Sequence, residues 1–184
     1  MHAAMAIRRS ALMAAFLCSN AAVAITLDPA WLEGDAGQRA RLEGLQGKIP
    51  PDVLATKWVN TKPLSFFKLR GRVVVLEFWA PWSEHCRELI PRNNAIYERY
   101  REQGLTWLAV CTTQSAGEFD RAVRDLGITY PVCLDDSNFS DMRFAVDSYP
   151  DYYIIDRQGT IVAADCENDR VEDVVKMLLA EPAP

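Results

Sequence analysis

The sequence predicts an α/β domain with a central mixed sheet flanked by helices, and three features carry that expectation. Residues 72–80, "RVVVLEFWA", are apolar at nearly every position, as a strand covered on both faces must be. From there strand-like and helix-like stretches alternate, which joins parallel strands through helical crossovers. Late in the chain "DYYIIDRQGTIVAADC" holds two strand runs around Arg157-Gln158-Gly159, the pattern of an antiparallel hairpin.

The elements follow in order. Residues 1–24 read as a signal peptide, with Arg8 and Arg9, the apolar "SALMAAFLCSNAAVA" and a small-x-small site at Ala22-Val23-Ala24. The apolar run is too short for a lasting transmembrane helix. Residues 25–47 form a helical lead-in, with Asp28 as its cap, Pro29 in its first turn and a stop at Gly44 to Gly47. The domain proper spans 48–180, and 181–184 are a tail. It opens with a Pro-rich approach, a small hairpin around Asn60-Thr61, and a short helix capped by Ser65 and ended by Gly71. After the long apolar strand, Ser83 can cap a helix over "EHCRELIPRNNAIYERYREQG", bent at Pro91 and ended near Gly104. "LTWLAVC" is a strand, "SAGEFDRAVRDLG" a helix, "YPVCLDD" a short strand, "NFSDMRFAV" a short helix, and "RVEDVVKMLLA" closes the chain as an amphipathic helix after the hairpin. No repeat or long linker divides it into further domains.

Charge and cysteine usage narrow the function. The chain has 20 basic and 25 acidic residues; without Arg8 and Arg9 the balance is 18 against 25, net −7. Phosphate-backbone binding needs concentrated Lys and Arg, so nucleic acid is not expected as a partner. Nor is an integral membrane segment once the signal peptide is gone. Removing Cys18 with the leader leaves Cys86, Cys111, Cys133 and Cys166 in a compartment where disulfides persist. Cys111 ends one strand and Cys133 lies in the strand expected beside it, so a bridge between them is the expected structural disulfide. His85 is then the sole imidazole, no metal-ligand spacing exists, and no metal or cofactor is expected. Asp135-Asp136 and Asp141 lack the spacing of a calcium loop and read as a solvated turn.

The segment "FWAPWSEHCRELIP", residues 78–91, carries the chemistry. A strand ends in Trp79, a tight turn follows, and a helix opens with Cys86. With the element order and "YPDYYIID", it resembles the thioredoxin-like superfamily, and within it the exported TlpA/ResA-like thiol-disulfide oxidoreductases related to the AhpC/TSA redoxins. The resemblance covers residues 48–180. It implies a thioredoxin-like fold, a periplasmic or secreted location, a protein or peptide thiol/disulfide partner, and an active-site turn of Trp79, Pro81, Trp82, Ser83, Glu84 and His85. It further implies a cis peptide before Pro150, a resolving role for Cys86 and a proton-exchanging acid at Glu77. The departure is Ser83, which stands where the family carries the attacking cysteine.

A hydroxyl has no sulfur with which to form a mixed disulfide, so ordinary dithiol exchange is predicted to be absent. Ser83 reads as a helix cap. His85, two positions away, does not share its helix face, and no G-x-S-x-G elbow is present, which argues against a serine-histidine hydrolase. Glu77, an acid inside an apolar strand, is expected to be desolvated with its pKa raised. The predicted function is a degenerate SxxC protein, protein-binding or with weak single-thiol chemistry. Two enzymatic alternatives stay open: a single-cysteine peroxidase using Cys86, Glu77 and the Ser83 hydroxyl, or a thiol-disulfide oxidoreductase pairing Cys86 with a remote or external thiol.

Overall fold

The computed structural model describes residues 27–182; the signal peptide expected over 1–24 lies outside them. Six strands form one sheet: β1 (Ala55–Val59), β2 (Val73–Trp79), β3 (Leu105–Cys111), β4 (Val132–Asp135), β5 (Asp151–Ile155) and β6 (Ile161–Ala164), in spatial order β1-β4-β3-β2-β5-β6. β2, β3 and β4 run parallel, and β1, β5 and β6 each pair antiparallel with their neighbours. The helices are α1 (Ala36–Leu42), α2 (Glu84–Tyr100), α3 (Phe119–Asp125), α4 (Phe139–Phe144) and α5 (Val171–Ala180). This is the thioredoxin-like arrangement, a mixed sheet between two helical layers.

Connection handedness decides which helix covers which face. β2, β3 and β4 step across the sheet in one direction, so right-handed crossovers put α2 and α3 on the same face. Val75 and Trp79 of β2, Trp107 and Cys111 of β3, and Tyr152 and Ile154 of β5 meet α2, α3 and α5 there. The alternate residues, among them Leu76, Phe78, Val110, Cys133 and Tyr153, pack against Leu42, Phe66, Leu69 and Phe144 on the other face. Every residue of β2 and β3 is buried, as the unbroken apolar pattern requires.

Several expectations are corrected in detail. The Asn60-Thr61 hairpin does not form: β1 pairs with β4, some 75 positions on in the chain, and the Asn60 side-chain amide donates to the carbonyls of Ile128 at 2.9 Å and Tyr130 at 3.0 Å. A residue with turn chemistry thus ties two distant loops. Asp28 caps only a 3-10 turn, Pro29–Trp31, while the lead-in helix is α1, capped by Asp35 through the amide of Gln38 at 2.8 Å. Ser65 precedes a 3-10 turn without a side-chain cap. Of the acidic cluster only Asp136 is solvated. Asp135 and Asp141 are buried, and Asp135 accepts from the Ser140 amide at the start of α4 at 3.0 Å.

The Cys111–Cys133 disulfide is also absent, for a reason of register. In the parallel β3–β4 pair, Cys133 lies level with Val110 and Cys111 with Leu134. One residue of offset sends the two side chains to opposite faces of the sheet, Cys111 toward α2 and Cys133 toward α4. All four cysteines of the described chain are free and buried.

Candidate functional site

The turn between β2 and α2 gathers most of the residues singled out in the sequence. β2 delivers Glu77 and Trp79 to its carboxyl end, where both are buried, Trp79 at 1% exposure. Pro81 is buried, Trp82 projects outward at 55% exposure, and Glu84 and His85 are exposed. Ser83 caps α2, accepting from the Cys86 amide at 3.3 Å. Its hydroxyl also donates to the carbonyl of Tyr149 at 3.0 Å. The Tyr149–Pro150 peptide bond is cis, and Trp82 stands edge-on to the Tyr149 ring with centroids 5.7 Å apart. One hydroxyl therefore joins the helix start to the loop carrying Pro150.

Cys86 occupies the first turn of α2 on its buried face, in register with Ile90, Asn93 and Ile96, and has no exposed surface. Burial pushes its thiol up to about 11, with the Glu77 charge adding to the rise; the Ser83 hydroxyl, the Ala80 backbone and Arg87 oppose it. A helix start favours a thiolate, but desolvation wins here. The nearby arginines are otherwise engaged. Arg87 donates to the Pro81 carbonyl at 3.3 Å, and Arg92 reaches Asn93 Oδ1 at 3.3 Å and Asp169 at 3.5 Å. His85 Nε2 lies 3.0 Å from the Asn168 side-chain amide.

Beneath the turn lies a buried polar cluster around Glu77. Trp107 Nε1 donates to one carboxyl oxygen at 2.7 Å and Asn93 Nδ2 to the other at 3.3 Å; Asn93 also donates to the Tyr152 hydroxyl at 2.9 Å. Burial still raises the carboxyl to about 7, against the lowering pull of Trp107, Tyr130, Arg92 and Asn93. Glu77 therefore holds its proton to a pH well above the ordinary carboxylate range. Trp107 and Asn93 were not singled out in the sequence. Asn93 had a signal, being a polar residue seven positions after Cys86 on the apolar face of its helix; Trp107 had none, since its role depends on strand pairing. Cys111 and Cys133 contribute nothing to the turn's surface, because both are fully buried. Among the described residues no group of three or more His, Cys, Asp or Glu could hold a metal ion, and no helix is long and apolar enough to cross a membrane.

A strand–turn–helix carrying Trp82, Ser83 and Cys86 opposite a cis-proline defines a member of the thioredoxin/redoxin superfamily. Within it the chain belongs to the AhpC/TSA family, which residues 46–164 match. It is similar to the protein DipZ of Mycobacterium bovis, 31% identical over 156 residues covering 79% of this chain, although the chain spans only 22% of DipZ. The thiol-disulfide oxidoreductase ResA of Bacillus anthracis is 27% identical over 116 residues, 63% of this chain and 66% of ResA. Solved structures share the fold. The thioredoxin domain of a thiol-disulfide oxidoreductase from Bacteroides vulgatus superposes with a TM-score of 0.65 at 18% identity, over 73% of this chain and 97% of that one. A thiol-disulfide isomerase from Corynebacterium glutamicum gives 0.62 at 19%, over 72% and 97%.

Proposed function

We propose that this chain is an exported redoxin whose dithiol site is degenerate, and that it binds a protein or peptide partner at the β2–α2 turn instead of carrying out two-thiol exchange. The observation that carries the reading is the bonding of Ser83. In disulfide exchange a thiolate attacks a disulfide sulfur, forms a mixed disulfide and is displaced by a second thiol. Here the residue at the helix start brings a hydroxyl, held between the Cys86 amide and the Tyr149 carbonyl. Cys86 is closed off from solvent, and with its thiol near 11 it is almost wholly protonated at neutral pH.

What the turn does present is recognition surface. Trp82 is exposed, Tyr149 packs edge-on against it, and the bend that ends in the cis Tyr149–Pro150 bond lies beside them, an aromatic surface that a polypeptide partner can cover. Glu77 is the proton-exchanging acid beneath Cys86, left with half of a relay. The single-cysteine peroxidase alternative needs a depressed thiol pKa and a free cation beside it, and the direction of the Cys86 shift and the engagement of Arg87 and Arg92 count against it. Export is supported by the leader pattern of residues 1–24.

The test is reduction of insulin disulfides, coupled to dithiothreitol at pH 7, by the chain and by Cys86→Ser. Both are expected at the uncatalysed rate. Turnover by the unmodified chain that disappears in Cys86→Ser overturns the reading in favour of single-thiol catalysis.

A further inference from the structure

The lead-in is stitched along β6, an edge of the sheet. Gly47 donates to the Ile161 carbonyl at 2.8 Å, the Gln46 side chain donates to the Val162 carbonyl and accepts from the Ala164 amide, and Arg39 donates to the Ala164 carbonyl at 2.7 Å. Just past β6 the Glu33 amide donates to the carbonyl of Asp165 at 2.8 Å, and Leu32 forms a bridge with Cys166. Gly34 lies over the Asp165 side chain, the position of its missing Cβ being 3.4 Å from Oδ2.

Under this seam are two carboxyl groups that the β2–α2 turn does not use. Asp151 and Asp165 are both buried, and their side chains lie within hydrogen-bonding reach of each other. Asp151 Oδ2 accepts from the Tyr153 hydroxyl at 3.2 Å, while Oδ1 has no donor among the described residues. The charges facing the pair are mostly acidic: Asp147 from the loop before β5, Glu33 from the lead-in and Glu167 beyond β6. Arg39 of α1 is the opposing cation, and its guanidinium is engaged by the Glu33 and Ala164 carbonyls; Arg41 lies 3.7 Å from Asp147.

We infer that Asp151 and Asp165 share one proton, and that this proton makes the seam a pH-sensitive clasp holding the lead-in to the sheet edge. Two buried carboxylates side by side repel, whereas a protonated one donates an O–H···O bond to its neighbour. Asp151, with an oxygen that no donor reaches, is the donor and Asp165 the acceptor. Burial raises both carboxyls; the Asp165 charge pushes Asp151 further up, and the bond from Asp151 holds Asp165 down. The two therefore titrate as a unit. Once the proton leaves, two negative charges remain among Asp147, Glu33 and Glu167. Lifting residues 32–47 off β6 hydrates them, because Glu33 and Gly34 are what cover Asp165. A carboxyl pair raised in the closed form and ordinary in the open one favours closure at low pH. That preference weakens as pH climbs above the usual carboxylate range and stops changing once the pair has ionised.

The test is amide hydrogen exchange of the full chain from pH 5 to 8, read by mass spectrometry in peptides covering residues 32–47 and corrected for the intrinsic pH dependence of exchange. Protection of these amides is expected to fall about tenfold per pH unit until the pair has ionised, as release of one proton on opening requires. Asp151→Asn keeps a donor toward Asp165 with no proton to lose, so its lead-in protection is expected to be flat over the same range. Asp165→Asn, at φ 61° where asparagine is tolerated, removes the second charge and is expected to narrow the range over which protection changes; it serves if Asp151→Asn fails to fold. Lead-in protection with the same pH dependence in the unmodified chain and in the variants overturns the clasp. So does a loss shared equally by peptides from β2 and β3, which marks unfolding of the whole domain instead of release of its edge.

Discussion

Replacing Ser83 with cysteine isolates the chemical difference between this turn and a dithiol site. The new thiol would sit at the start of α2, a 17-residue helix whose Cys86 amide already donates to this side chain. A helix start stabilises an anion by about 0.3–1 kcal/mol, up to ~2 in partly buried settings. At about 1.4 kcal/mol per pKa unit, a thiol near 8.5 falls to roughly 7–8. On the order of a tenth to a half of it is then thiolate at pH 7, with Cys86 three residues on to release the mixed disulfide. The substitution also disturbs the two hydrogen bonds of the hydroxyl, each worth about 1 kcal/mol net. The variant should therefore lose about 1–2 kcal/mol, and its Tm should fall by roughly 2–8 °C. In the insulin assay Ser83→Cys is expected to turn over catalytically and the unmodified chain not at all, and with dithiothreitol withheld Ser83→Cys combined with Cys86→Ser is expected to accumulate as a mixed disulfide with insulin. A folded Ser83→Cys chain as inert as its parent would refute the claim that the missing sulfur is what silences the site.

Other outcomes follow from the same geometry. With the folded Glu77 carboxyl at about 7 and its unperturbed value at 4.5, the folded chain keeps a proton between those pH values that the unfolded chain has released. That contribution is therefore present at low pH, is lost as pH rises from about 4.5 to 7, and is flat beyond. Urea unfolding at pH 5 and pH 7.5 should show Glu77→Gln reducing this pH-dependent loss by a few kcal/mol, and equal losses in both chains would remove the desolvated acid. Since Cys86 is closed off and its thiol lies near 11, iodoacetamide at pH 6–8 should leave it unlabelled in the folded state, and intact mass should show Cys86, Cys111, Cys133 and Cys166 all modified only after denaturation. Rapid labelling of Cys86 at pH 6 would contradict this. Phe144 is fully buried against Phe78 at 5.2 Å and Tyr153 at 5.1 Å, so Phe144→Ala should cost about 3–5 kcal/mol in chemical denaturation.

The fold was legible wherever patterning was strong. The apolar run of β2, the period of α5 and the hairpin turned at Arg157 to Gly159 each carry their structure in a local signal, and local signals survive folding intact. Readings failed where a partner lay far away in the chain. Asn60 has turn chemistry whether it closes a hairpin or ties down the 128–130 loop, and only the tertiary fold decides which. Cys111 and Cys133 do lie on adjacent strands as expected, but strand adjacency leaves parity open, and a one-residue register offset determines which face each thiol occupies. At the site, Ser83, Cys86 and Glu77 were visible because each breaks a local pattern. Asp141 looked like part of a polar turn, and nothing in its neighbours indicates that α4 would bury it beneath Tyr149.

The separation of Cys111 from Cys133 by the sheet also bears on how the chain matures. With all four cysteines of the described residues unpaired, these thiols have no correct pairing to search for. Oxidants encountered before folding could only create covalent links that must later be undone. Refolding yield should then be highest in reducing buffer and gain nothing from a shuffling catalyst, the reverse of the usual behaviour of small secreted domains stapled by cystines.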